Sequence, residues 1–214
     1  MSAKPFYRTV GCCALAAFFM LSAGCNPFTA LFFLFLMPPP KVEAKCTELE
    51  KQTVVVTAYA GRGAQFQHPG IDNDLTRGVV RELRDNVKGI KLADPNAVRQ
   101  WRDEHADPEL VDVGQEFKAT RVLYMEVEEF TLYEQQSTLL YRGSAKVRVQ
   151  VADVEKDGEI VWEDYIEVLF PPSRPIPSQE MSAQKFRALF MRYLTRNVAH
   201  QFFEYRPDED FEVN

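Results

Sequence analysis

Residues 141–151 constrain this chain more than any other stretch. Tyr141, Gly143, Ala145, Val147, Val149 and Val151 alternate with Arg142, Ser144, Lys146, Arg148 and Gln150. Successive side chains of an extended strand point to opposite faces, whereas a helix would scatter the valines around its axis. The segment is therefore a strand with one face in a core and the other polar. Such a strand needs neighbours, because a lone hairpin is marginal in water.

The neighbours are legible on both sides. Lys156-Asp157-Gly158 is a hairpin turn, returning as a strand over 159–170 with Trp162 inside it. Upstream, residues 121–133 (RVLYMEVEEFTLY) form a long strand of branched and aromatic residues. Residues 52–60 (QTVVVTAYA) give a further strand and 89–93 a short one.

Between them the period changes. Asp72-Asn73-Asp74 offers N-cap oxygens, and Leu75, Val79, Leu83 and Val87 recur at every fourth position to make a helix as far as Lys88. Asp94-Pro95 and Asp107-Pro108 each join a cap residue to a proline at the first helical position. The first of these helices carries Val98 and Trp101, and the second runs towards Phe117. Ser178 or Ser182 caps a last helix reaching about Tyr205, with Phe186, Leu189, Phe190, Tyr193, Leu194, Val198 and Phe202 as its buried stripe. The expected architecture is α/β: a single domain with a mixed β-sheet, helices largely on one face, and the order β-α-β-α-α-β-β-β-α.

The N-terminus is of another kind. Lys4 and Arg8 precede an apolar run over 10–23 that ends in Leu21-Ser22-Ala23-Gly24-Cys25. That is the charged region, apolar region and small-residue site of a secretory signal, placed directly before a cysteine. It resembles the bacterial lipobox, with Ser22 where an aliphatic residue is usual and Leu21 one place outward. Cleavage before Cys25 would leave that thiol to carry a diacylglyceryl group, with fatty acid such as palmitate completing the anchor. The competing reading keeps residues 10–37 as an uncleaved span, because a second apolar run covers 28–37. As a helix that stretch would be about 42 Å long against a hydrocarbon core near 30 Å, and Asn26-Pro27 interrupts it.

The expected organisation is therefore a signal peptide (1–24), a lipidated N-terminus with apolar segment and proline-rich linker (25–51), an α/β domain (52–206) and an acidic tail (207–214). Asn26 after the lipidated cysteine is not the aspartate that retains enterobacterial lipoproteins in the inner membrane. It favours the outer membrane, with the domain facing the periplasm. Cys46 is then expected to be an exposed linker thiol, with an intermolecular disulfide as the alternative, and no cysteine falls in the domain, so a disulfide framework is excluded there.

Charge limits the partners. The formal net charge is −6, and removing residues 1–24 takes away Lys4 and Arg8 but no acid, leaving 23 bases against 31 acids, or −8. Nucleic acid requires a basic face, and a polybasic membrane patch requires the same sign. Membrane attachment accordingly falls to the N-terminal lipid.

No catalytic, cofactor or metal site is legible in the sequence. Gly61-Arg62-Gly63 has the start of a dinucleotide fingerprint, but Phe66 stands where the third glycine is needed, so it reads as an ordinary turn. His68, His105 and His200 stand in three separate elements, and none has a nucleophile at a recognised spacing. His68 with Asp72 and Asp74 is a weak metal pattern, because those carboxylates are better used as caps. Glu126, Glu128 and Glu129 form the densest acid group, and Arg142, Lys146 and Arg148 lie on the strand expected to pair with theirs. Cross-strand ion pairs explain both sets.

The order of elements, with Ala119-Thr120-Arg121-Val122-Leu123-Tyr124 entering the long strand and Asp157-Gly158-Glu159-Ile160-Val161-Trp162 following the alternating one, is similar to a known family. It resembles the lipoproteins of the curli secretion pore, of Pel polysaccharide export and of peptidoglycan-synthase activation, over about residues 52–204. Val113-Gly114 keeps one glycine of the family's helix, and Lys118-Ala119-Thr120 replaces the rest of its pattern. The resemblance implies a non-enzymatic envelope protein with no catalytic residues to carry over. The expected function is assembly or protein binding, as a homo-oligomer or with an envelope partner, in an export or secretion system. The alternative is an activator or partner of a periplasmic cell-wall enzyme.

Overall fold

The computed structural model describes residues 40–105 and 108–207. Cys25, the two apolar runs and the acidic residues 208–214 lie outside them. From Lys41 onward the chain forms one unit, described here by itself.

The strands are β1 (Thr53–Ala60), β2 (Lys91–Leu92), β3 (Arg121–Tyr133), β4 (Leu140–Asp153), β5 (Glu159–Phe170) and β6 (Ile176–Pro177). The helices are α1 (Arg62–Gln67), α2 (Ile71–Asn86), α3 (Pro95–Glu104), α4 (Leu110–Glu116) and α5 (Ala183–Ala199). The sheet runs β2-β1-β3-β4-β5, with β6 added to β4 beyond the end of β5. β2, β1 and β3 are parallel, and β3, β4 and β5 are antiparallel, so the sheet is mixed.

Alternation along the strands sorts the core into two layers. Val54, Val56, Ala58, Leu123, Met125, Val127, Val147, Val149 and Val151 share the main core with the buried faces of α2 and α5. The six apolar positions expected to alternate along β4 are all buried, from Tyr141 at one end to Val151 at the other. Phe170, Phe186, Phe190 and Phe202 are among the largest side chains wholly enclosed there. The long helices thus lie on one face, as the sequence implies. The short helices α3 and α4 cover only the β1–β3 half of the opposite face, where Val55, Val98, Val113, Val122 and Ala152 make a small second core.

Several local expectations change. The turn expected at Gly61-Arg62-Gly63 is the start of α1, which buries none of its residues and so leaves no apolar stripe to read. α2 begins one residue before Asp72, because Gly70 in the left-handed region (φ 77°) turns the chain in. Neither Asp72 nor Asp74 caps it by a side-chain hydrogen bond. Asp74 instead binds Arg187 of α5 at 2.7 Å. Asp94 does cap α3, accepting from Asn96 N–H at 3.0 Å with Pro95 at the first position. α4 starts after Glu109, whose N–H donates to Asp112 at 3.2 Å. α5 is capped by Ser182 and stops at Ala199, short of Tyr205. There the Gln201 and Phe202 N–H groups reach back only three residues, tightening the chain out of the helix.

The segment before β1 is not a bare linker. Val42 pairs with Tyr205, the Cys46 N–H donates to the Gln201 carbonyl at 2.9 Å, and Leu49 is 1% exposed. Arg121 joins this segment to the sheet, contacting Glu48 at 3.5 Å and the buried Asp153 at 2.9 Å.

Candidate interaction surface

Beyond the end of β3 and β4 that packs under α3 and α4, no helix among the described residues covers the side of β3, β4 and β5 opposite the main core. The bulge between Val127 and Glu129 sets two residues of β3 against Lys146, so Glu128 and Glu129 are both exposed. Lys146 Nζ binds Glu128 at 3.1 Å and lies 5.2 Å from the centre of the Tyr165 ring. One register step away, Arg148 binds Glu126 and stands opposite Tyr165 of β5. Tyr59 of β1 flanks Glu126 on the other side. The hydrogen bond that each base donates, Lys146 to Glu128 and Arg148 to Glu126, raises the pKa of the base and holds its charge. At the far end Arg142 spans Glu134 (3.1 Å) and the Pro172 carbonyl (3.2 Å).

The expected cross-strand pairs therefore form for Glu126 and Glu128, while Glu129 stays exposed without an ion pair among the described residues. Between the charges stand Tyr59, Tyr165 and Leu169, which are 43%, 49% and 43% exposed. Ser144, Lys146, Glu167 and Leu169 line a cleft of about 350 Å³ on this face. The face sets amphipathic rings among ion pairs and the exposed carboxylates of Glu129 and Glu167.

The chain is similar to solved bacterial lipoproteins. The PelC dodecamer from Paraburkholderia phytofirmans aligns with a TM-score of 0.43 at 14% identity, over 75% of this chain and 94% of that one. A lipoprotein from Neisseria meningitidis gives 0.43 at 11% identity, over 68% and 97%. The LpoB C-terminal domain from Salmonella enterica gives 0.38 at 12% identity, over 66% and 93%. No protein-family model matches the sequence, and no curated protein matches it.

The residues singled out in the sequence are not brought together. His68 sits edge-on to Phe130 with ring centres 4.7 Å apart, and burial, then Arg187, lowers its pKa. His105 stacks on Trp101 and its Nδ1 lies 2.7 Å from the Trp101 carbonyl. His200 closes α5, stacked on Tyr205 with ring centres 3.7 Å apart. Among the described residues no three His, Cys, Asp or Glu side chains form a metal-binding group, and no helix is long and apolar enough to cross a membrane.

Cys46 departs from its expected place. It is 3% exposed rather than a linker thiol in solvent, and burial pushes its pKa up to about 11. The irregular segment around it has no period, so its burial left no mark in the sequence. The open sheet face was better signalled, since the even positions of β4 from Arg142 to Gln150 are all polar. What the sequence withheld was that Tyr59 and Tyr165 lie in the same row as Glu126 and Arg148, which depends on strand order and register.

Proposed function

We propose that this chain is a non-enzymatic envelope lipoprotein, anchored through Cys25 and acting by protein assembly as an accessory subunit of an export or secretion system. The observation that carries the assembly reading is the part of the β3, β4 and β5 face that no helix covers among the described residues, where exposed Tyr59, Tyr165 and Leu169 stand among the Glu126–Arg148 and Glu128–Lys146 pairs. A face of that composition keeps a monomer soluble and still offers aromatic area to a partner. The outer membrane, with the domain in the periplasm, is the location this reading assigns. The covalent reach from Cys25 to Lys41 is at most about 55 Å, so the domain would work close to its membrane.

Two measurements test the two halves. Intact mass of the membrane-extracted chain should show loss of residues 1–24 and gain of lipid, abolished by Cys25→Ala; an unprocessed N-terminus overturns the anchor. Native mass analysis of the detergent-extracted protein should show an oligomer, or a stoichiometric complex with an envelope protein. Tyr165→Arg should reduce it to monomer without lowering the unfolding midpoint. A wild-type chain that is monomeric and recovers no envelope partner overturns the assembly reading.

A further inference from the structure

The edge of β1 is bare where β2 stops. β2 pairs with Thr53 and Val54 alone, and the Ala93 N–H makes the last contact, to the Val54 carbonyl at 3.1 Å. Beyond that point no strand among the described residues lies beside β1 on this side, and α2 and α3 meet over the gap. Between them is a cleft of about 230 Å³, lined among others by Thr57, Asp72, Thr76, Arg99, Arg102 and Asp103. It stands at the carboxyl end of β1, which has β2 on one side and β3 on the other. Parallel sheets bind their ligands at such points, because helix N-termini and loops converge there without a strand to fill the space.

The polar groups in the cleft are provided for unevenly. Arg102 Nη1 donates to Thr57 Oγ1 at 2.5 Å and to the Ala58 carbonyl at 2.9 Å, which ties α3 to the bare edge. Asp72 Oδ1, by contrast, is buried with no hydrogen-bond partner. Thr76, one turn further along α2, is 8% exposed, and its hydroxyl makes no hydrogen bond among the described residues. No side chain caps the first turn of the sixteen-residue α2. Arg99 and Asp103 line the same space and enter no ion pair among the described residues. Charges of both signs therefore face one small volume without neutralising each other, although a buried carboxylate oxygen without a donor is costly.

We propose that this cleft binds a small zwitterion of free amino-acid type, with its ammonium held by Asp72 and Thr76 and its carboxylate by Arg99 and Arg102. A simple anion would meet Asp72 and Asp103, and a simple cation would meet the two guanidinium groups. An apolar molecule would leave every polar group unpaired. Only a ligand carrying both charges a few bonds apart satisfies both sets, and guanidinium groups are well shaped for a carboxylate. The volume is sufficient for one amino acid. This site lies apart from the open face of β3, β4 and β5 and does not depend on assembly there.

Isothermal titration calorimetry on the full chain in detergent tests it, with glycine, alanine, serine, glutamine, aspartate and lysine as probes. Acetate and ethylamine serve as single-charge controls, and glucose as a neutral polyol. The expected result is saturable one-to-one binding of at least one amino acid, with none of the controls. Asp72→Asn and Arg99→Gln should each weaken that binding about tenfold or more, the loss of one charged hydrogen bond. Asp72→Asn should leave the melting temperature of the unliganded protein unchanged or higher, since it removes an unpaired charge, so lost binding is separable from lost folding. The proposal is overturned if no amino acid binds at about 10 mM, if acetate, ethylamine or glucose binds as well as the best amino acid, or if both folded variants bind like the parent.

Discussion

A thiol buried beside Leu49 and the Gln201 carbonyl has no route to a reagent in water. Cys46 reacts as its thiolate, and burial raises its pKa to about 11, so at pH 8 both access and ionisation oppose alkylation. Peptide mass mapping after iodoacetamide should find Cys46 unmodified in the folded protein and fully modified in denaturant; rapid labelling of native protein would contradict its placement. His200 gives a pH dependence with a definite sign. Burial, with Arg196 adding to it, lowers its pKa to about 4 from the ordinary 6.5. As pH falls the unfolded chain therefore takes up this proton before the folded one. The stability contributed by the neutral ring is complete above pH 6.5, is lost between 6.5 and about 4, and falls no further below that. The loss is on the order of 3 kcal/mol. His200→Phe keeps a ring against Tyr205 and should flatten the unfolding free energy over that window; an unchanged slope would mean that another group controls it. Neither residue advertised this in the sequence, because burial of a single polar side chain depends on what folds over it.

Between elements the tight places are glycines. A Cβ on Gly143 of β4 would lie 2.5 Å from Cγ of the Phe190 ring, and one on Gly78 of α2 would lie 2.2 Å from Thr195 Cγ2. These positions set how closely α5 approaches the sheet and α2. Gly143→Ala should destabilise the protein by about 1–3 kcal/mol, the usual cost of overpacking, seen as a lower urea midpoint with an unchanged slope. A neutral result would show that Phe190 has room to turn aside. The alternation that marks β4 was legible because its strand has a main-core face and a wet one, which keeps the period at two. β1 and β3 carried less of that pattern, since their odd and even residues both enter cores near α3 and α4. Their branched and aromatic content marked them as strands all the same. α1 was invisible because a six-residue helix that buries nothing has no stripe. The expected pairs of Glu126 and Glu128 with Arg148 and Lys146 follow from one hairpin, whereas the cleft above β1 joins residues of α2 and α3 that share no period.

For the molecule as a whole, the point of interest is where the fold starts. Composition reads residues 38–51 as a polar link, because prolines and scattered charges carry neither helical nor strand period. The structure binds the later part of that link tightly: Val42 pairs with Tyr205, Lys45 reaches Asp164 at 3.0 Å, and Cys46 and Leu49 join the main core. Leu49 alone, being 1% exposed, should contribute about 2–5 kcal/mol, the range for emptying a buried leucine site. A net stability of about 5–15 kcal/mol is usual for a domain, so removing the segment takes away a large share of it. A chain beginning at Lys41 should unfold in denaturant as one cooperative transition. A chain beginning at Gln52 should lose several kcal/mol and expose the Trp162–Phe202 contact, whose ring centres lie 5.3 Å apart under this end of the core. Trp162 fluorescence follows both transitions. Coincident curves would make residues 41–51 a passive tether. Separated curves would make them an element of the domain in their own right, continuous with its hydrophobic core.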